Sequence, residues 1–267
     1  MNARTIALLG VAIVAAALPS DLIAGAEPVE PPVPTVLTAT EDEVKLLLDA
    51  VARSKEEKSD ELLAAALLDM ETRRHDSFVP IIEENLDHSD TQVQVRALRA
   101  AASHQMEGVT KDVLKILKKS KKSKKGKKKG EGDVSGYIAA AAIDFVARMA
   151  VEGVEEEVFE HMERLYLVES RMQAEYAPDL MRGAIHYLGQ MKYKPAVPKF
   201  VELIKEPYPE NPNSPSNPPA SYWESRYKIW QASEGWLRWG LKEITGQEYR
   251  THREWQAWLA ANEKEYK

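Results

Sequence analysis

Cysteine is absent from this 267-residue chain. That removes disulfides, thiol nucleophiles and thiolate metal ligands together, and with them anchoring through an acylated cysteine. Patterns that organise catalysis are missing as well. The six histidines are His75, His88, His104, His161, His186 and His252. None belongs to an H-E-x-x-H or Glu-x-x-His arrangement, so no pair of metal ligands is set on one helical face. No G-x-S-x-G element marks a nucleophile elbow, and Gly130-x-Gly132-x-x-x-Gly136 has neither the spacing nor the preceding strand of a phosphate-binding loop. Alternation of apolar and polar residues, the signature of a half-buried strand, is not found from residue 40 onward. Neither a catalytic site, a bound metal nor a cofactor is expected.

What is present begins with an address. Asn2-Ala3-Arg4 gives a positive start, Ile6 to Leu18 is an uncharged apolar run of 13 residues, and Ala24-Gly25-Ala26 is a small-x-small cleavage pattern. Residues 1–26 therefore read as a secretory signal peptide cleaved after Ala26, since 13 residues fall short of the roughly 20 needed to span a bilayer. The expected location is the periplasm or beyond, with no transmembrane segment after cleavage. Residues 27–39, EPVEPPVPTVLTA, carry four prolines and no helical period, and read as a tether. The 44% hydrophobic content is enough for a sizeable core.

From Thr40 the period becomes helical. Thr40 and Glu43 form an S/T-x-x-E capping box ahead of Val44, Leu47, Leu48 and Val51. Sliding the chain by 118 positions superimposes Leu62, Leu63, Ala66, Leu67, Met70, Val79, Pro80, Ile82 and Leu86 on Leu180, Met181, Ala184, Ile185, Leu188, Val197, Pro198, Phe200 and Ile204 without a gap. The first half of that pattern recurs at Ala97, Leu98 and Ala101 and again at Ala142, Ile143 and Val146. The anchors Leu67, Leu98, Ile143 and Ile185 stand 31, 45 and 42 residues apart. Each unit is a small-residue helix, a short turn and a second amphipathic helix. Neither helix buries its stripe alone, so neighbouring pairs must stack.

The stretch from Arg182 to Ile204, RGAIHYLGQMKYKPAVPKFVELI, resembles a HEAT repeat of the bacterial, lyase-associated type. Gly183 and Tyr187 depart from its usual alanines, and Gly189 is answered by Glu71, Ala102 and Ala147 in the other units. The resemblance covers about residues 60–206. It implies an all-α fold, a right-handed α-α superhelix of HEAT-like solenoid type, and a binding or scaffolding role. Residues 40–206 would hold the repeats and 207–220, with six prolines between Pro207 and Pro219, an extended connector.

All six tryptophans follow, between Trp223 and Trp258. Trp223, Tyr227, Trp230 and Leu237 share one helical face, Trp236 and Trp239 share a face of their own, and Thr251 with Glu254 forms a second capping box. The segment I244-T-G-Q-E-Y-R-T-H-R-E-W-Q-A-W258 is similar to the ending of secreted bacterial HEAT-repeat proteins. Residues 221–267 are expected to cap the array, with the indoles packed rather than stacked on sugars.

One segment breaks the pattern. Lys118, Lys119, Lys121, Lys122, Lys124, Lys125, Lys127, Lys128 and Lys129 place nine lysines in twelve positions, within an expected disordered loop at 118–133. Without these lysines and the first 26 residues the chain holds 26 basic and 41 acidic side chains, a balance of −15. The body is acidic, and export removes nucleic acid as a normal partner. Three readings of the run stand open: a solvated insertion; a site for polyanions such as anionic lipid or an envelope polymer; and an internal partner for the acidic stretch at 152–163, whose Glu152, Glu155, Glu156, Glu157, Glu160 and Glu163 read as a solvated face. His161 is expected to meet Glu157 in a solvent-exposed pair, and His186 to be exposed. The expected function is an exported, non-enzymatic scaffold for an unspecified protein partner. The alternatives are a polyanion- or glycan-binding envelope module, and a lyase-type enzyme as in relatives that the repeat implies.

Overall fold

A computed structural model describes residues 36–120, 134–209 and 211–266. The expected signal peptide, all but the last residues of the tether and most of the lysine segment lie outside them. The fold is all-α, with twelve α-helices and two strands of two residues each among the described residues.

Helix α1 (Glu41–Glu57) opens on the capping box read from the sequence: the Glu43 amide donates to Thr40 Oγ1, and the Thr40 amide donates back to the Glu43 carboxylate at 2.9 Å. Val44, Leu47 and Val51 are buried. The helices that follow are α2 (Asp60–Thr72), α3 (Val79–Glu84), α4 (Thr91–Ser103), α5 (Thr110–Ser120), α6 (Val134–Arg148) and α7 (Glu155–Leu165). After these come α8 (Glu169–Met172), α9 (Ala177–Gln190), α10 (Val197–Leu203), α11 (Ala220–Thr245) and α12 (His252–Tyr266). The packing follows chain order. α2 lies on α1 and α4, α4 on α6, α6 on α9, and α9 on α11, while α10 packs beside α11 and α12. The anchors Leu67, Leu98, Ile143 and Ile185 are each fully buried on successive members of this series.

The turns repeat as well as the helices. Gln105, Ala150 and Lys192 have φ of 54, 47 and 51°, and each stands seven residues after its anchor. In all three, the left-handed residue's amide and the next one bond back to helix carbonyls in the 5→2 and 6→1 pattern of a Schellman cap: Gln105 to Ala102 and Met106 to Ala101, Ala150 to Ala147 and Val151 to Val146, Lys192 to Gly189 and Tyr193 to Leu188. Helices α1 and α11 also end on left-handed residues, Lys58 and Gly246. After the turn, a short 3-10 segment leads into α5 at Glu107–Val109 and into α10 at Lys194–Ala196. Pro198, like Pro80 in α3, sits in the first turn of its helix, where no backbone donor is needed.

Helix α2 ends differently. Arg73 and Arg74 are extended and form β2, paired in parallel with β1 (Leu37–Thr38), and the Ala39 amide donates to Arg74 O at 3.0 Å. The last four residues of the expected tether are thus stitched to the first unit, and Ala39 is buried. Two-residue strands carry no alternation, so nothing local announced them.

At the other end, α11 packs on α9 and α10, and α12 packs on α10. The buried residues of α11 are Ile229, Ser233, Leu237, Trp239, Gly240, Leu241 and Ile244, whereas Tyr227 is exposed, which corrects the face drawn through Trp223, Tyr227 and Trp230. Small residues allow the approach: a Cβ on Gly189 of α9 would stand 2.5 Å from Trp239 Cζ3, and one on Gly240 would stand 2.9 Å from Phe200. Glycine inside a helix costs about 1 kcal/mol relative to alanine, and here it permits contact that any larger residue would block. The second capping box is present, with the Glu254 amide donating to Thr251 Oγ1 at 3.2 Å and the Thr251 amide to Glu254 Oε2 at 2.8 Å.

Candidate functional site

The lysine run starts on a helix. Lys118 and Lys119 belong to the last turn of α5, so the expected loop begins no earlier than residue 121, and the other seven lysines lie outside the described residues. α5 is amphipathic for a simple reason. Val113, Ile116 and Leu117 are buried at spacings of 3 and 1, leaving Lys111, Lys115, Lys118 and Lys119 in solvent. Lys119 Nζ reaches Asp87 Oδ2 at 3.3 Å, just past α3, and Lys115 reaches Asp112 on its own helix at 2.8 Å.

On the other side of α5 stands α7, and the link is His161. It is buried, with Nε2 3.2 Å from Leu117 O and 3.5 Å from Ser120 Oγ. An imidazole at a helix C-terminus serves the last carbonyls of that helix. His161 therefore fixes the point at which the chain leaves α5, and it is buried where solvent exposure was expected. His186 is corrected likewise: it is half-buried, with its ring centroid 5.1 Å from Trp236 and 5.4 Å from Trp239, because α11 lies across the outer face of α9. Of the acidic stretch, Glu152 falls in the turn before α7, and Glu155, Glu157 and Glu160 are half-buried while Glu156 and Glu163 are exposed. Burial, reinforced by the carboxylates of Glu156, Glu155, Glu160 and Glu163, raises the Tyr193 phenol above its ordinary range. α5 thus ends between Asp87, which pairs with Lys119, and His161 of α7.

Near the start of α6, Ser135, His161, Arg164, Arg171 and Tyr176 line a cavity of about 30 Å³. That is room for one or two waters, not for a substrate. A larger groove of about 550 Å³ runs between α10 and α12, floored by Pro198, Val201 and Leu259 and edged by Lys205, His252 and Glu263. Partial burial, and then Lys205, lowers the His252 pKa. Glu202 of α10 also lines this groove, so a carboxylate stands on each of its two helices. Among the described residues no group of three or more His, Asp or Glu side chains is placed to hold a metal ion, and no helix is long and apolar enough to cross a membrane.

The indoles serve packing. Trp255 is 1% exposed and donates from Nε1 to Tyr249 O at 3.2 Å, Trp230 Nε1 donates to Ile204 O at 3.2 Å, and Trp255 meets Tyr249 and Trp258 edge-to-face. Faces covered in this way are not offered to a sugar ring.

Two features escaped the sequence. A line of ion pairs crosses the helix series, with Arg96 to Glu71 at 3.5 Å, Arg99 to Asp179 at 3.3 Å, Arg148 to Asp144 at 2.9 Å, and Arg182 against Asp179. Burial pushes the Glu71 carboxyl above its usual range against the pull of Arg99 and Arg96. Partners 25 and 80 residues apart leave no local pattern. The second is His104, buried beneath the first unit with Nε2 2.9 Å from Met70 O and 3.0 Å from Arg73 O. No protein-family model, no curated protein and no solved structure matches the chain.

Proposed function

We propose that this protein is an exported, non-enzymatic scaffold of HEAT type, a right-handed α-α superhelix that holds protein partners in the cell envelope. The observation that carries this reading is the recurrence of one unit: a buried anchor, a left-handed residue seven positions later, and a second amphipathic helix, in helices that pack in chain order. Linear stacking spreads binding over a long surface instead of concentrating it in one pocket. A cavity of about 30 Å³, too small for a substrate, and an open groove along α10 and α12 support a binding role in preference to a lyase-type activity. Affinity capture from an envelope fraction tests it. The chain should begin at Glu27 by mass spectrometry and should retain the same partner across stringent washes. A chain found in the cytoplasm, or one that captures nothing beyond an unrelated acidic control, contradicts it.

A second reading, polyanion binding through Lys118–Lys129, is favoured by one observation: Lys118 and Lys119 are exposed where α5 ends. Each lysine near an anionic membrane surface adds about 1 kcal/mol. Replacing the nine lysines with serine should abolish retention on anionic vesicles and heparin while leaving helical circular dichroism unchanged. Retention that survives the replacement rules this reading out.

A further inference from the structure

Helix α2 carries more apolar surface than its neighbours cover. Leu62 to Leu68 is an unbroken apolar run, and a helix apolar on every side belongs inside a protein. Its core stripe, Leu63, Ala66, Leu67 and Met70, is buried against the series. A second stripe, Ala64, Ala65 and Leu68, is not, and Leu68 is 42% exposed. It floors a groove of about 330 Å³ between α2 and α4 that Asp60, Glu61 and Asp90 edge. The 118-residue shift that relates α2 to α9 places His186 where Leu68 stands. In α9 that position is covered by Trp236 and Trp239 of the next helix in the series. The same site is therefore a contact position at one end of the molecule and open at the other.

The edge of the groove selects its occupant. Asp60, Glu61 and Asp90 are acidic; Arg96 of the lining is engaged by Glu71, His88 Nε2 stands 3.8 Å from Asp60, and Asp90 caps α4. The chain's own segment 27–35 carries Glu27 and Glu30 and no basic residue, so charge disfavours it. We infer that the α2–α4 groove docks a basic amphipathic helix of a partner protein, with aliphatic side chains over Leu68 and Ala64 and lysines or arginines against Asp60 and Glu61. Helix-in-groove recognition of this kind reads anchors at i, i+3, i+4 and i+7. The inference rests on the scaffold reading and names one surface and one partner chemistry within it.

The probe is a 14-residue synthetic helix with Leu and Ala at those anchor positions and lysines flanking them, compared with a twin carrying glutamates in place of the lysines. Against the full chain, the lysine peptide should bind at least tenfold tighter than its twin by fluorescence anisotropy. Leu68→Ser should weaken it about fivefold, and Asp60→Asn with Glu61→Gln about tenfold, with a flatter salt dependence. Helical circular dichroism of each variant reports that the fold is intact. Binding that ignores Leu68→Ser, even if it responds to the charge variants, is unspecific attraction and overturns the groove. So does self-association abolished by Leu68→Ser, which would give the surface to a second copy. Capture of the envelope partner that persists in both variants while peptide binding proves unspecific would leave the scaffold standing and remove this site.

Discussion

The turn that closes α2 and the turns that close α4, α6 and α9 do the same topological work by different means. In the later three, the backbone closes itself with two hydrogen bonds around a left-handed residue. In the first, the chain runs on extended as β2, and two distant segments complete it: β1 pairs along one side, and His104 from the next unit bonds the carbonyls of Met70 and Arg73. Local closure makes a unit depend on its own residues. Closure by a neighbour makes the first unit depend on the second, and ties the start of the chain to both.

The largest difference should appear on removing the borrowed side chain. His104→Ala takes the imidazole away from Met70 O, which keeps the Arg73 amide, and from Arg73 O, and opens a cavity, at a cost of about 2–4 kcal/mol. His104→Leu restores the volume without the donor and should recover only part of it. Chemical denaturation reads both. A loss under 0.5 kcal/mol would mean that β1 alone closes the turn.

Protonation probes the same contact. Burial lowers the His104 pKa, and the two carbonyls oppose this less strongly; Nδ1 is buried without a partner. A depressed imidazole is neutral in the folded chain, so its contribution is complete above about pH 6.5, the ordinary histidine value, and fades as pH falls below it. The facing groups are Arg74, which deepens the shift, and Asp76, which resists it. Glu43 acts in a lower window. Held down to about 2 by the Thr40 amide first and Arg73 next, its carboxylate stabilises fully above its ordinary value near 4.5, and that is lost as pH drops toward 2. Wild type should therefore weaken from pH 7 to 5 with a slope of up to about 1.4 kcal/mol per pH unit. His104→Leu should lose the part of that slope that His104 supplies, while the Glu43 loss below 4.5 remains.

Breaking the strand side is a smaller perturbation. Ala39→Pro removes the amide that donates to Arg74 O and should cost about 1 kcal/mol. Hydrogen exchange should quicken at Arg73 and Arg74 and stay unchanged at Ala150 and Lys192. Smallest, and of opposite sign, is glycine at the local turns. Gln105→Gly, Ala150→Gly or Lys192→Gly relieves a left-handed side chain at a net gain of about 0.5 kcal/mol each, whereas Arg74→Gly should only destabilise.

These turns also show how far the sequence could be read. Anchors and capping boxes were legible because each is a pattern within a few turns of one helix, and the 118-residue shift because such patterns recur without a gap over two helix pairs. The left-handed residues were nearly so, since they fall at a fixed distance from anchors already visible, but Gln, Ala and Lys do not announce a positive φ as glycine does. The β1–β2 stitch, His104 and the Arg99–Asp179 pair were not legible, because their partners lie 31 to 80 residues apart. On α11 the indoles drew attention from Ser233 and Gly240, whose importance lies in how little space they fill. Nothing local distinguished a histidine serving a helix end from one in solvent.

Linear succession of the helix pairs is the central claim, and the absence of native cysteine makes it directly measurable. Spin labels on cysteines placed at Gln105, Ala150, Lys192 and Gln247, all exposed at the ends of successive helices, mark each layer at a similar height. Helices pack with axes 8–10 Å apart, so pulsed electron resonance should give label distances from residue 105 that lengthen in steps of about 9 Å to residues 150, 192 and 247. Distances that level off, with 247 no farther from 105 than 192 is, would mean that the helices gather into a bundle and that no stacked array exists.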